Sequence, residues 1–535
     1  MIRLFGNDTR RNMIALATVV GFVAAGSLSA HGQTRGGGSL NLVVASVDGE
    51  DFDPTLFRSA GQTTFYPLVF DALIKKDPET GELAPGLALS WDLDADGKSW
   101  ILKLREGVKF HDGSDFTAED AKFSLERYMG KFGAVPATGS ERLANLITSV
   151  DMVDDHTIVI RSKDGAPTIP FDIASSEPGI AAGYMVPSDY VAKVGAEAFN
   201  KAPIGTGPFK FVSQDVGREM KFEANLAYWD TVPDVDALTL RIVPELAARM
   251  AQLRAGEADI MSGIVGPAIP QVEADSSLRV IPAPKGHIVY MVIGGMTNPD
   301  SPTSKAQVRE AISLAIDRNA IVQHLLFGHG EPASLFSFPF AFGWPADADE
   351  FAPVYDPDKA RQLLADAGHG GGFELTLYAA TEGRDFAQAI AQYLETVGIT
   401  VKLDIREISQ VLAEARNDEG KQKPRLALIF GPTGSGARAD TGGLLYTFLF
   451  TGESINQPHG DEELSQWVGD QAKAADPSAR AQLISNVLKR ARGINAIMPL
   501  YYVDSLFAAG PSVADWKPIS GVGYPSNLNS VKLNK

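Results

Sequence analysis

The 535-residue sequence contains no cysteine. Its absence excludes disulfides, thiolate metal sites, a cysteine nucleophile and a lipid-modified cysteine. Basic residues are in deficit: 48 Lys and Arg stand against 66 Asp and Glu, a net charge of −18, with a pI near 5.0. A chain of that sign is a poor partner for nucleic acid or an anionic membrane surface. Its acids are spread along the chain rather than gathered in a tail, as solubility alone requires. Long apolar runs are missing too: after residue 32 none reaches the ~20 residues that span a bilayer. What is present is ordinary for a large globular protein, with 44% apolar residues and a mean hydropathy of −0.04. That is enough material for two or more lobes.

The one apolar stretch near the start, Met13–Ala25, follows Arg10-Arg11 and precedes small residues around Ser27–Ala30. This order reads as an export signal over residues 1–32, too short and weak for a membrane anchor. Arg10-Arg11 followed by Asn12, Met13 and Ile14 is similar to a twin-arginine signal, with the Sec route left open. Cleavage is expected after Ala30 or Gly32, giving a protein free in the periplasm and not lipid-anchored.

Local patterns predict an α/β fold. "SLNLVVAS" (Ser39–Ser46) reads as a buried strand, and "WILKLREGVKF" (Trp100–Phe110) alternates, with Trp100, Leu102 and Leu104 on one face. Thr117 with Asp120 three residues on forms a variant capping box before a helix whose stripe is Ala121, Leu125, Tyr128 and Met129. Asp356-Pro357 opens a helix that Gly368 ends. A strand from Phe373, a helix over Phe386–Val397 and a strand from Ile399 then make a βαβ unit. "LALIF" (Leu426–Phe430) is a further strand, and the glycine-rich "GPTGSGARAD" leaves its carboxyl end, where ligands bind in open α/β sheets.

That glycine loop imitates a nucleotide phosphate loop, but Ala437-Arg438 stand where lysine and Ser/Thr are required, so phosphoryl transfer is excluded. "GTGPF" (Gly205–Phe209) lacks the third glycine of a dinucleotide fingerprint, and Thr433 breaks a G-x-S-x-G around Ser435. His324 and His329 have the wrong spacing for zinc on one helix face. His111-Asp112 sits in a strand-end turn and reads as a structural hydrogen-bonding pair. A secreted hydrolase built on that pair and the glycine loop is the remaining catalytic alternative.

Five blocks in sequence resemble the family 5 extracellular solute-binding proteins, the dipeptide-, oligopeptide- and nickel-binding components of ABC importers. They are Leu83–Arg127, Ala202–Met261, Val308–Ala333, "YDPDKARQLLADAG" from Tyr355, and "MPLYYVD" (Met498–Asp504). The resemblance implies a two-lobed, Venus-flytrap periplasmic-binding fold of cluster C type with an extra subdomain in lobe one. Lobe one is expected over 39–282 with 505–535, and lobe two over 283–504. It implies a monomer that clamps a short peptide for a membrane permease, with no cofactor, metal, nucleic acid or catalysis. The alternative is a non-peptide solute on the same scaffold: an anionic sugar conjugate, opine, glutathione or metal complex.

In peptide-binding members an aspartate after the strand matching "LALIF" meets the amino group, and an arginine before the βαβ helix meets the carboxylate. Asp440 and Arg384 fall at those places, with helix capping and a surface position as their plainer readings. The loop departs from the family's usual tryptophan and Asp-Pro pair. Arg438 and the amides of Gly434, Ser435, Gly436 and Ala437 are instead candidates for an anionic group. Trp344 and Asn298 are further candidates for the cleft wall.

Overall fold

The computed structural model describes residues 35–534 except 48, 58–59, 78–81, 96, 134–140, 164–166, 175–182, 417–421, 431–439 and 451–459. Residues 1–32, expected to form an export signal, and Gly434, Ser435, Gly436, Ala437 and Arg438 therefore lie outside the described residues.

Among the described residues one eleven-stranded sheet dominates. Its strands are β1 (Ser39–Val44), β2 (Phe209–Asp215), β3 (Glu219–Ala224), β4 (Ala237–Ile242), β5 (Ile260–Ser262) and β6 (Arg279–Ile293). They continue with β7 (Gly330–Pro332), β8 (Phe373–Ala380), β9 (Ile399–Arg406), β10 (Arg425–Phe430) and β11 (Ile497–Ala509). Across the sheet the order is β9-β8-β10-β6-β11-β5-β1-β4-β3-β2, with β7 pairing to β11. Helices that matter below are α1 (Ala118–Tyr128), α2 (Arg384–Thr396), α3 (Thr441–Leu449), α4 (Glu462–Gln471) and α5 (Pro477–Gly493).

The long antiparallel strands β6 and β11 run through both halves of the molecule. Arg279–Ala283 pair with Ala509–Ser505, and after a register shift His287–Val292 pair with Val503–Ile497. The shift falls on Pro284-Lys285-Gly286, where a Cβ on Gly286 would lie 2.2 Å from Ser505 Oγ. Glycine is thus required by close approach of the two strands. On one side of the shift, Leu40, Phe52, Tyr66, Phe222 and Leu240 share a core with Phe507, Val513 and Trp516. On the other, Ile288–Ile293 share a separate core with Leu377, Ile390, Leu428, Val487 and Tyr501. A smaller third cluster with Val43, Leu253, Met261 and Leu506 lies on the same side as the first. Each such side chain contributes about 1.5–3 kcal/mol by leaving water, so separate cores on either side of a two-strand crossing give two lobes.

Lobe one begins with β1, whose burial stops at Val44, two residues before the expected end. A separate four-stranded antiparallel sheet of Ala88–Leu93, Ser99–Leu104, Thr157–Ser162 and Ile147–Asp154 carries the predicted alternation. Leu102 and Leu104 are buried and Lys103 is exposed, but the strand ends at Leu104 rather than Phe110. A turn at Glu106-Gly107, with Gly107 at φ +75°, stops it. The capping box at α1 is present: the Thr117 amide donates to Asp120 at 2.9 Å. From the far end of α1, Arg127 reaches back to Asp53 through two bonds of 3.2 and 2.6 Å, both side chains buried.

In lobe two, β8 pairs in parallel with both β9 and β10, and α2 connects β8 to β9 as the expected βαβ unit. Asp356 caps the helix Pro357–Asp366 by accepting from the Lys359 amide, and Gly368 follows it at φ +83°. β10 is almost entirely buried because β8 and β6 flank it and helices cover the sheet. Its carboxyl end at Phe430 pairs with Val289, just past the register shift on β6, and so lies beside the crossing to lobe one. No helix among the described residues is long and apolar enough to cross a membrane.

Candidate functional site

β5 is parallel to β1 and ends at Ser262 facing lobe two, while β8 and β10 end at Ala380 and Phe430 facing lobe one. Strand ends present free backbone groups and start loops, which is why sheets of this kind bind ligands there. Between them lies a cleft of about 540 Å³. Lobe one contributes Gly263–Gly266 and Ile269, and lobe two contributes Glu382, Asp385, Phe386 and Phe430. The crossing strands form the remaining wall with His287 and Val503–Phe507. Gly263 and Gly266 have φ of +72° and +52°, so the loop after β5 takes a left-handed path that brings its backbone to the cleft.

The electrostatics of this wall are one-sided. Burial pushes His287 down to about 4, so its ring is neutral at ordinary pH; its Nδ1 lies 3.3 Å from Ser505 Oγ. Burial raises the Asp504 carboxyl above its usual range, against a partly compensating bond from the Lys285 amide at 3.0 Å. Lys285 itself pairs with Glu331 at 3.0 Å, and His329 Nε2 lies 3.0 Å from Glu273 Oε1. Glu382 and Asp385 are exposed to the cleft. Among the described lining residues there is no lysine and no arginine.

The sequence-derived candidates distribute differently. Arg384 is exposed as the first residue of α2, between Glu382 and Asp385, but is not in the lining. Asp440 is 5% exposed and caps α3, one oxygen accepting from the Gly442 amide at 3.1 Å. Its other oxygen accepts from Arg480 Nη2 at 2.7 Å, so the charge is matched inside lobe two. Asp440 is likewise absent from the lining. Asn298 and Trp344 are also not among the described residues that line this cleft. Asn298 follows the far end of β6, accepting from the Asp300 amide and donating to the Gln422 carbonyl, because a tight turn there consumes its amide. Trp344 packs on the lobe-two core, its amide bonded to Ala341.

His111 does not form a dyad with Asp112. Its Nε2 donates to the Gly207 carbonyl at 3.0 Å and its Nδ1 accepts from the Gly205 amide at 3.3 Å, which suits the neutral ring. Burial lowers it to about 4. The glycines of "GTGPF" serve packing: a Cβ on Gly205 or Gly207 would lie 2.0 or 2.5 Å from the Val69 backbone. The residues that sequence reasoning missed are Glu382, Asp385, Phe386, His287 and the Gly263–Gly266 loop. The available signals were a G-x-x-G directly after an apolar strand and the acids on either side of Arg384.

A rim contact also bridges the lobes. Phe171, in the lobe-one helix Ile169–Asp172, meets Phe342 of lobe two with ring centroids 5.7 Å apart. The Arg480 guanidinium lies 5.3 Å from the Phe342 ring and 5.9 Å from that of Phe171.

Known proteins share this fold. Residues 82–456 match the family described as bacterial extracellular solute-binding proteins, family 5 Middle. A dipeptide-binding protein of Escherichia coli K12 is 29% identical over 397 residues, 69% of this chain and 72% of the relative. A glutathione-binding protein of Shigella dysenteriae is 28% identical over 89% of both chains. A solved periplasmic binding protein of Helicobacter pylori, in complex with the peptide STSA, aligns with a TM-score of 0.71 at 23% identity, over 94% of this chain and 99% of that one. The chain belongs to the bacterial extracellular solute-binding proteins, family 5.

Proposed function

We propose that this protein is the periplasmic solute-binding component of an ABC importer, and that it captures a short peptide between its lobes and delivers it to a membrane permease. The single observation that carries the reading is the 540 Å³ cleft whose wall is supplied by both lobes and by the two strands joining them. The change of core between Ala283 and Ile288 on β6, and between Tyr502 and Phe507 on β11, supports lobes over 39–282 with 505–535 and over 283–504. Clamping needs no acid–base machinery; it needs a closed state stabilised only when a solute fills the gap. The protein acts as a monomer without cofactor, metal or catalysis. Micromolar affinity corresponds to about −8 kcal/mol, within reach of backbone hydrogen bonds plus one or two paired charges.

A second reading keeps the scaffold and changes the cargo to a non-peptide solute. It is favoured by Arg384 standing outside the lining and by both Asp440 oxygens being engaged within lobe two. Thermal unfolding against a panel of di- and tripeptides decides between them. At one hundred times its Kd a true ligand adds about 2.7 kcal/mol; a panel that leaves the transition unmoved rejects the peptide reading.

A further inference from the structure

The lining of the cleft separates by chemistry. Ile264, Leu506, Phe386 and Phe430 give an apolar body, and the charged groups among the described residues are Glu382, Asp385 and Asp504. Of the cations close by, Lys285 pairs with Glu331 and also acts on Asp504, His329 faces Glu273 and also acts on Asp504, and Arg384 is exposed between Glu382 and Asp385 but stands outside the lining. His287 is neutral because burial depresses it. Asp504 is the telling member. It sits partly buried on the crossing strand and accepts a hydrogen bond from the Lys285 amide. Burial raises it by more than the Lys285 amide and the neighbouring His329 and Lys285 side chains lower it.

We propose that the solute presents an ammonium or guanidinium group to Glu382, Asp385 and Asp504 and lays an apolar body against Phe386, Phe430 and Ile264. This rests on the reading of the cleft as the solute site. An anionic group in the same place would meet three like charges in a partly desolvated gap, where such juxtaposition is costly. A solute cation supplies what the wall lacks. Asp385 also lies in the first turn of α2, where the helix dipole favours an acid, but that role does not require it to face the cleft as it does. A bare metal ion fits poorly: among the described residues no group of three or more histidines and acids is arranged to hold one. The cargo class is therefore an organic cation with an apolar portion, such as a peptide whose free amino end is not offset by further acids.

The test is calorimetry with two matched pairs: leucyl-phenylalanine amide against N-acetyl-leucyl-phenylalanine, and agmatine against glutarate. The expected result is binding of at least one cationic probe, with its anionic match weaker by tenfold or more. The double variant Glu382→Gln/Asp385→Asn, both positions being exposed, should lose tenfold or more in affinity for that cation while its unliganded melting temperature is unchanged. An anion that binds as tightly as its match, or a variant that binds the cation unaltered, overturns the proposal. Native mass spectrometry of the purified protein separates solute binding as such from the preference for a cation. A retained anionic solute overturns the cationic assignment and leaves solute binding standing; no retained solute together with no binding of any probe overturns both.

Discussion

Asp440 and Arg480 form a buried ion pair, 2.7 Å apart and 5% and 1% exposed, that ties the amino end of α3 to α5. Arg480 also donates to the Gln471 carbonyl and to Gln471 Oε1 at the end of α4, so three helices meet on one guanidinium. Removing either charge leaves the other stranded, which costs about 3–5 kcal/mol. Arg480→Ala and Asp440→Ala should each lower stability by that amount in urea unfolding, and the double variant by clearly less than the sum. Independent, additive losses would contradict the pairing.

The Arg127–Asp53 pair plays the same part in lobe one, with bonds of 2.6 and 3.2 Å and both side chains buried. Arg127→Met should cost about 3–5 kcal/mol and should act on the lobe-one core. Hydrogen exchange would show it as faster exchange in α1 and β1 while β8–β10 stay protected. Uniform loss of protection would argue against separate cores.

Glycine at 207 is fixed by space. An added Cβ would sit 2.5 Å from the Val69 carbonyl carbon, against backbone that cannot yield like a side chain. Gly207→Ala should destabilise by about 1–3 kcal/mol or more through overpacking, read as a fall in melting temperature. A neutral substitution would mean that the Val69 segment moves freely.

Two buried histidines predict how the protein fails in acid. His111 and His287 are each held down to about 4 from 6.5 by burial. A depressed histidine contributes stability that is present above 6.5 and is lost as pH falls toward 4, because the unfolded chain takes the proton first. Each should steepen the fall by up to about 1.4 kcal/mol per pH unit in that window. His111→Gln should flatten the dependence between those limits; an unchanged slope would remove His111 from the account. Asp504 has the opposite sign. Its folded value is raised, so its contribution is fully present below the unfolded value and is lost as pH rises through the folded one. Asp504→Asn should leave the unliganded protein at least as stable at neutral pH.

Much of the fold was legible because its signals are local. Asp356, Thr117 with Asp120, and Gly368 act within four residues of themselves, and each does what its pattern implied. The lobe-two strands were legible because they alternate or run apolar according to how many neighbours they have. The site was less legible, and for a geometric reason. Arg384 and Asp385 are adjacent, but successive helix residues point about 100° apart, so locating the loop did not decide which one faces the cleft. Asp440's partner lies forty residues on, and His287 meets Ser505 across a separation of 218. Nothing short-range announces such pairs.

One solute should occupy the gap between the lobes and leave it unaltered. A crystal structure of the protein grown with its retained or added solute tests this most directly. An intact molecule should touch both Phe430 and the Gly263–Gly266 backbone, with a positively charged group against Asp385 or Asp504. A solute bound outside that gap, or present as a cleaved product, would contradict it.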